Sequence, residues 1–133
     1  MKITADTNLL VRALTEDDPG QSKAAQTILK KADVVAMTIA ALCELVWVLS
    51  QGYKVPADEI AEAVRRLVNG TNVVVNRRVA EAGLAMLDVG GDFADGVIAY
   101  EGNWLGADVF VSFDKKAVRL LEAQGLSAEL LSG

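Results

Sequence analysis

The sequence contains no histidine and only one cysteine, Cys43. These two absences exclude a disulfide scaffold, a Cys/His zinc site, a Ser-His-Asp triad and a Cys-His nucleophile. Proline is also scarce, with 2 residues, while hydrophobic residues make up 52% of the chain, so a disordered or collagen-like protein is excluded as well. Any catalysis must therefore use carboxylates, hydroxyls, lysine or arginine.

The sequence also has no excess of positive charge and no long apolar run. The chain has 13 Lys and Arg against 18 Asp and Glu, a net charge of -5, which argues against a broad basic surface for nucleic acid. Binding of nucleic acid through a bound cation is not excluded by this charge. The most apolar stretch, 34–49, is shorter than the roughly 20 residues of a spanning helix and includes Thr38 and Glu44. We expect no membrane span, no secretory signal and a cytoplasmic location.

Short apolar segments alternate with segments of helical periodicity, and no hairpin turn joins successive strands. The pattern predicts a single domain, 1–133, of the α/β class: a three-layer α/β/α sandwich around a central, mainly parallel sheet. The predicted strands are 2–5, 34–37, 73–75 and 109–111, with weaker evidence at 130–131. The predicted helices are 9–14, 19–31, 39–49, 56–68, 79–89 (interrupted by Gly83), 92–103 and a last one between 114 and 125.

Acidic residues recur where the predicted strands end and helices begin. Asp6 and Asp114 follow strands, and ligands bind beyond the carboxyl ends of strands in open parallel sheets. Asp92 and Asp95 lie three residues apart at a helix start, so both face one side of its first turn. Glu44 has apolar neighbours on both sides, which predicts a buried carboxylate that needs a partner.

Two interpretations of these acids stay open on spacing alone. Taken singly, the aspartates are N-caps or first-turn acids that complement the helix dipole, and Glu44 is a core residue paired with an arginine such as Arg12. Taken together, carboxylates that converge without histidine or cysteine repel one another unless a divalent cation neutralises them. Such all-oxygen ligation suits Mg²⁺ or Mn²⁺.

Neighbouring residues also allow a structural and a functional interpretation. Three polar side chains flank the acids and serve either as donors that orient carboxylates or as turn formers: Thr7, Asn8 and Ser112. A basic group follows Asp114, and a solvated helix face is favoured over phosphate contacts for it: Lys115, Lys116 and Arg119. Trp47 and Trp104 are predicted to lie in the core or at a contact between copies, and Cys43 to be a small buried hydrophobe.

Four blocks of this sequence carry a family resemblance: 5–12 (ADTNLLVR), 42–49 (LCELVWVL), 92–99 (DFADGVIA) and 111–116 (VSFDKK). Their content and spacing resemble the PIN-domain ribonucleases and, within them, the VapC-like toxins of type II (VapBC) toxin–antitoxin pairs. The likeness covers nearly the whole chain. Two positions depart from the family pattern: Gly96 stands where alanine is usual, which loosens the helix start by up to about 1 kcal/mol, and Ser112 stands where threonine is usual.

The resemblance implies a metal-dependent endoribonuclease that hydrolyses RNA phosphodiester bonds. By position it implies four catalytic carboxylates, which are also metal ligands: Asp6, Glu44, Asp95 and Asp114. Asp92 is an additional metal ligand in the Asp-Phe-Ala-Asp form of the motif. The implied cofactor is Mg²⁺, with Mn²⁺ as an alternative. The implied partners are an RNA substrate such as tRNA or another structured RNA, a VapB-like antitoxin and a second copy of the chain in a homodimer.

Two alternatives from other classes fit the same composition. A receiver-type phosphoacceptor domain is also a small parallel α/β sandwich that binds Mg²⁺ through acids at strand ends. It requires an acceptor aspartate after its middle strand, whereas the third predicted strand here continues into Asn76 and Arg77. A catalytically silent binding module on a similar sandwich is the second alternative.

Overall fold

Strands and helices alternate along the chain, as the periodicity predicts. The computed structural model describes residues 1–133. Its strands are β1 (Lys2–Thr4), β2 (Val34–Ala36), β3 (Val73–Val74), β4 (Phe110–Ser112) and β5 (Ala128–Leu130). Its helices are α1 (Thr7–Leu14), α2 (Pro19–Lys31), α3 (Ile39–Trp47), α4 (Ala57–Val68), α5 (Arg77–Asp88), α6 (Phe93–Trp104) and α7 (Lys115–Ala123). A π-helical turn, Val48–Gly52, follows α3.

The chain divides into two compact units, Met1–Arg77 and Arg78–Gly133. The first unit contains a three-stranded sheet in the order β1-β2-β3, and the second contains β4 paired with β5. Every pairing is parallel, which confirms that prediction. The hydrogen-bonded strands nevertheless form two sheets, and the weakly predicted last strand is present as β5. The structure contains no candidate membrane-spanning helix.

In the first unit, β2 is the central strand and its Val35 is fully buried. The pairing continues past the strand ends, because Ala5 N–H donates to the Ala36 carbonyl at 3.1 Å and Met37 N–H to the Val74 carbonyl at 2.9 Å. The carboxyl ends of β1 and β2 are therefore aligned. Helices α1 and α3, which begin just beyond them, pack against each other.

Side-chain caps begin α2 and α3 where the sequence predicts them. Asp18 Oδ1 accepts from the N–H of Gln21 at 3.0 Å, with Pro19 at the first helical position, and Thr38 Oγ1 accepts from Ala41 N–H at 3.1 Å. Helix α3 was expected to continue to residue 49. The structure instead widens it into the π-helical turn after Trp47.

Both tryptophans are strongly exposed, Trp47 by 66% and Trp104 by 74% of their surface, so neither lies in the core. The alternative, a contact between copies, stays a prediction. Cys43 is half-buried rather than buried. Helix α3 is apolar on almost every side, so its sequence does not reveal which face turns inward. The structure buries the face that carries Leu42 and Leu45 and leaves Trp47 in solvent.

In the second unit, α5 runs without a break through Gly83. A Cβ at this position would lie 2.6 Å from Cε2 of Phe93, whose ring is fully buried. The glycine was expected to interrupt the helix. Instead, it provides the space into which Phe93, the first residue of α6, packs.

Candidate active site

Asp6 lies two residues beyond β1 and begins α1. Its Oδ1 accepts a hydrogen bond from the backbone N–H of Leu9 at 2.8 Å, so Asp6 is the N-cap of this helix. The residue is exposed, and the cap engages only one of the two carboxylate oxygens. The second oxygen is left to solvent or a ligand, so the N-cap role and a ligand role are compatible.

Glu44 is exposed, so the prediction of a buried glutamate is wrong. It belongs to a stripe of exposed residues along α3 and the π-helical turn: Ala40, Glu44, Trp47 and Gln51. Their spacing of three and four residues defines one helix face. The sequence does not predict that this face is exposed, because two of its four members, Ala40 and Trp47, are apolar.

Arg12 pairs with Asp17 rather than with Glu44, so the predicted core ion pair is also wrong. Arg12 Nη1 lies 2.9 Å from Asp17 Oδ1. Asp17 additionally accepts from the hydroxyls of Tyr53 at 2.7 Å and Thr15 at 3.0 Å. These hydrogen bonds, that of Tyr53 first, hold the pKa of Asp17 below its ordinary value. The cluster ties the end of α1 to the segment that follows the π-helical turn.

Two acids of the second unit are N-caps as well. Asp92 Oδ1 accepts from Ala94 N–H at 3.1 Å to begin α6, and Asp114 Oδ1 accepts from Ala117 N–H at 3.1 Å to begin α7. Both residues are exposed. Each carboxylate thus keeps one oxygen outside the cap, at a helix end where the macrodipole stabilises negative charge.

Asp95, in the first turn of α6, has a different environment because it is half-buried. Burial raises its pKa above the ordinary value, and the negative charges of Asp92 and Asp114 raise that pKa further. The three carboxylates are therefore electrostatically coupled. The charges of Asp92 and Asp114 thus act on Asp95 within the second unit, while the convergence of the acids into one metal site stays a prediction.

The position of Asp92 and Asp95 depends on close packing between α5 and α6. A Cβ at Gly96 would lie 2.3 Å from the Ala82 carbonyl oxygen and 2.9 Å from Met86 Cγ. Gly96 was expected to loosen the start of α6. It instead allows the backbones of α5 and α6 to approach so closely that alanine would not fit, and it fixes the turn that carries Asp95.

Sequence reasoning missed this positioning role of Gly83 and Gly96. The sequence offered one signal, because a glycine inside a helix lowers helix stability by about 1 kcal/mol relative to alanine. A glycine at such a position commonly marks a close packing contact. Two such glycines in adjoining helices favour a tight helix pair.

Of the three flanking polar residues, Ser112 has a defined contact. Its Oγ accepts from the backbone N–H of Asp114 at 2.9 Å, which fixes the turn between β4 and α7 and so orients Asp114 through its backbone. Thr7 and Asn8 form the first turn of α1, directly after Asp6. Lys115 and Lys116 are exposed at the start of α7.

The donor chemistry of these residues suits a hard divalent cation. No group of three or more Asp, Glu, His or Cys side chains in the structure is arranged so that it could hold a metal ion. The acids of the second unit nevertheless offer only oxygen ligands, and a cation would offset the negative charges of Asp92 and Asp114 that, after burial, raise the pKa of Asp95. Asp6 and Glu44 belong to the first unit, where both are exposed to solvent.

The chain has an α/β fold with parallel strands, and its acids lie at strand ends and helix starts. These features place it among small α/β domains whose carboxylates are suited to metal-assisted chemistry. The family model described as PIN domain matches residues 3–122, so the chain belongs to the PIN domain family. No curated protein matches the chain.

Family membership confirms the predicted PIN-like α/β sandwich fold class. PIN domains are generally metal-dependent nucleases, and therefore hydrolases, that use divalent ions such as Mg²⁺. The family also suggests RNA as the substrate. It does not favour the receiver-type or silent-module alternatives.

Proposed function

We propose that this PIN domain is an endoribonuclease that hydrolyses RNA phosphodiester bonds with Mg²⁺ or Mn²⁺ and acts as the VapC-like toxin of a toxin–antitoxin pair. The observation that carries the proposal is the placement of three acids at helix starts of the second unit, Asp92 and Asp114 as N-caps and Asp95 in the first turn of α6, in a member of this family. Carboxylates that repel one another in the free protein attract a divalent cation, and a cation allows an acidic protein to hold a phosphate.

We assign catalysis to Asp6, Glu44, Asp95 and Asp114, with Asp92 completing the set of metal ligands. When bound, the divalent cation lowers the pKa of a coordinated water and offsets charge that develops on the phosphate oxygens. The capping aspartates would contribute the oxygen that the cap leaves available. Asp95, which has no capping role, would also be a ligand. Ser112, Thr7 and Asn8 would hold the turns that orient these acids.

Glu44 is suited to positioning the attacking water, because it is exposed on α3. In the hydrolysis, the water oxygen forms a bond to phosphorus, the bond to one ester oxygen breaks, and one water proton ends on the leaving oxygen. Glu44 would accept the proton of the water while that bond forms. Lys115 and Lys116, exposed beside Asp114, would contact the flanking phosphates.

The remaining assignments follow from the family and the charge of the site. A VapB-like antitoxin would cover the carboxylates with an arginine or lysine from its tail. We also propose a homodimer, a cytoplasmic location beside its RNA, and a single domain over 1–133. The family match supports the last of these, since it continues through both compact units.

Cleavage of tRNA by the purified protein tests the proposal, with Mg²⁺ or Mn²⁺ against EDTA. The decisive variant is Asp6→Asn, because asparagine caps a helix as well as aspartate does and the substitution removes only the charge. The matched control is Asp18→Asn in the same unit, where Asp18 caps α2 with the same geometry.

We expect metal-dependent cleavage by the wild type and by Asp18→Asn, with a loss on the order of 100-fold or more in Asp6→Asn. An Asp6→Asn protein that folds and still cleaves would contradict the assigned site. A wild type that cleaves no RNA with either metal would favour the silent binding module.

A further inference from the structure

One exposed aromatic side chain lies next to the proposed catalytic glutamate. Trp47 is 66% exposed and follows Glu44 by three residues on the exposed stripe of α3. Residues with this spacing lie about 5–6 Å apart at their Cβ atoms on one helix face. The indole and the Glu44 carboxylate thus present themselves to solvent side by side.

The distribution of the other aromatic residues supports a role near the chemistry. The chain exposes three aromatic side chains by 66–74% of their surface: Trp47, Trp104 and Phe113. Two of the three adjoin proposed catalytic acids, since Phe113 directly precedes Asp114. The third, Trp104, is the last residue of α6, and with a rise of 1.5 Å per residue it lies roughly 18 Å along the helix from its Asp92 cap.

We propose that Trp47 is a stacking surface for an unpaired base of the RNA substrate. The inference rests on the proposed function, because it takes Glu44 to be the residue beside the scissile phosphate. A base stacked on the indole belongs to a nucleotide whose phosphate lies beside Glu44. Bases within a duplex have both faces covered, so only a looped or single-stranded segment offers a free face.

The observations favour a base over a second copy of the chain as the occupant. Trp47 is the single large apolar residue of the exposed stripe. The other members are Ala40, Glu44 and Gln51. A contact between copies needs a contiguous apolar patch, whereas stacking needs one planar ring flanked by polar groups.

Fluorescence provides a direct test, because the chain has only two tryptophans. Trp104→Phe leaves Trp47 as the only reporter, and Trp47→Phe leaves Trp104 as the matched reporter of similar exposure. Each variant is mixed with a short single-stranded oligoadenylate and Mg²⁺ in a stopped-flow instrument, so that emission is recorded before turnover. We expect quenching in Trp104→Phe, little in Trp47→Phe, and less quenching by the same sequence in a duplex.

Steady-state cleavage provides a second readout. Trp47→Ala is expected to raise KM about tenfold, equivalent to about 1.4 kcal/mol, and to leave kcat nearly unchanged. Trp47→Phe retains an aromatic face and is expected to restore most of the loss. Trp104→Ala is the control and is expected to behave as the wild type.

The outcomes separate this inference from the proposed function. Quenching of Trp47 without any RNA cleavage would support stacking and contradict the nuclease. Unchanged Trp47 emission with single-stranded RNA would overturn the stacking proposal, whether or not the protein cleaves RNA. Trp47 emission that depends on protein concentration without RNA, together with dissociation of a dimer in Trp47→Ala, would overturn it in favour of a contact between copies.

Discussion

Gly96 in α6 packs against the backbone carbonyl of Ala82 in α5, so closely that a Cβ on the glycine would lie 2.3 Å from the carbonyl oxygen. One turn of α5 further on, Met86 Cγ would lie 2.9 Å from the same Cβ. This approach of two helices sets the position of the first turn of α6. Because Asp92 caps that turn and Asp95 lies within it, the packing also sets the positions of these two acids.

Replacing Gly96 with alanine is expected to destabilise the protein, although alanine favours helices more than glycine does. The inserted methyl must displace a backbone oxygen, and overpacking of this kind costs about 1–3 kcal/mol. Gly102→Ala in the same helix is the matched control, since nothing lies within 4 Å of a Cβ there. Urea unfolding is expected to show a lower free energy of unfolding for Gly96→Ala and a gain of up to about 1 kcal/mol for Gly102→Ala. Equal effects of the two substitutions would refute the packing argument.

Asp95 should make the stability of the protein depend on divalent cations. Its pKa is raised by burial and by the charges of Asp92 and Asp114, so its ionised form is unfavourable in the free protein. Thermal unfolding at neutral pH is expected to show a higher Tm with Mg²⁺ than with EDTA, because a ligand of the native state stabilises it by mass action. The increase should be smaller in Asp95→Asn and unchanged in Glu101→Gln, an exposed acid on the same helix. A full Mg²⁺ effect in Asp95→Asn would place the cation elsewhere.

The same raised pKa fixes the pH dependence without metal. Between the ordinary aspartate pKa, near 3.9, and the raised value, the folded protein binds more protons than the unfolded chain does. The contribution of Asp95 to the free energy of unfolding therefore falls as pH rises through this window, and its cost is complete above the raised pKa. Asp95→Asn is accordingly expected to have the higher Tm at neutral pH in EDTA, with the difference vanishing towards the ordinary pKa. A wild type more stable than Asp95→Asn at neutral pH without metal would contradict this sign.

Asp17 is expected to show the opposite dependence. Hydrogen bonds from Tyr53, Thr15 and Arg12 lower its pKa, so its stabilising contribution is present above the ordinary aspartate pKa and is lost as pH falls through the lowered value. Tyr53→Phe removes the largest cause and should raise the pKa of the Asp17 carboxyl, measured by NMR titration, and lower Tm at neutral pH. Asp33, whose pKa is lowered by the N-terminal ammonium instead, is the internal reference and should titrate unchanged. A shift of both carboxyls would indicate a general change rather than loss of one hydrogen bond.

Local chemistry in the sequence was sufficient for the helix starts and for the order of elements. Asp6, Asp18, Thr38 and Asp114 each cap the helix that follows, because capping involves only a side chain and the backbone two or three residues later. Short apolar strands without hairpin turns likewise predicted parallel pairing, since parallel strands require the long crossovers that the helical segments provide.

Tertiary structure alone decided which faces are buried and which acids interact. The apolar sequence of α3 does not identify the face that carries Glu44 and Trp47, because an almost uniformly apolar helix has no periodic signal and only its packing selects the inner side. The sequence likewise predicted that Gly83 and Gly96 weaken their helices. The groups that require a glycine lie on another helix in each case: the Phe93 ring beside Gly83 and the Ala82 carbonyl beside Gly96. The sequence therefore determined which carboxylates lie at the helix starts. The burial of Asp95, and the effect of the Asp92 and Asp114 charges on it, arise only when separate elements pack together.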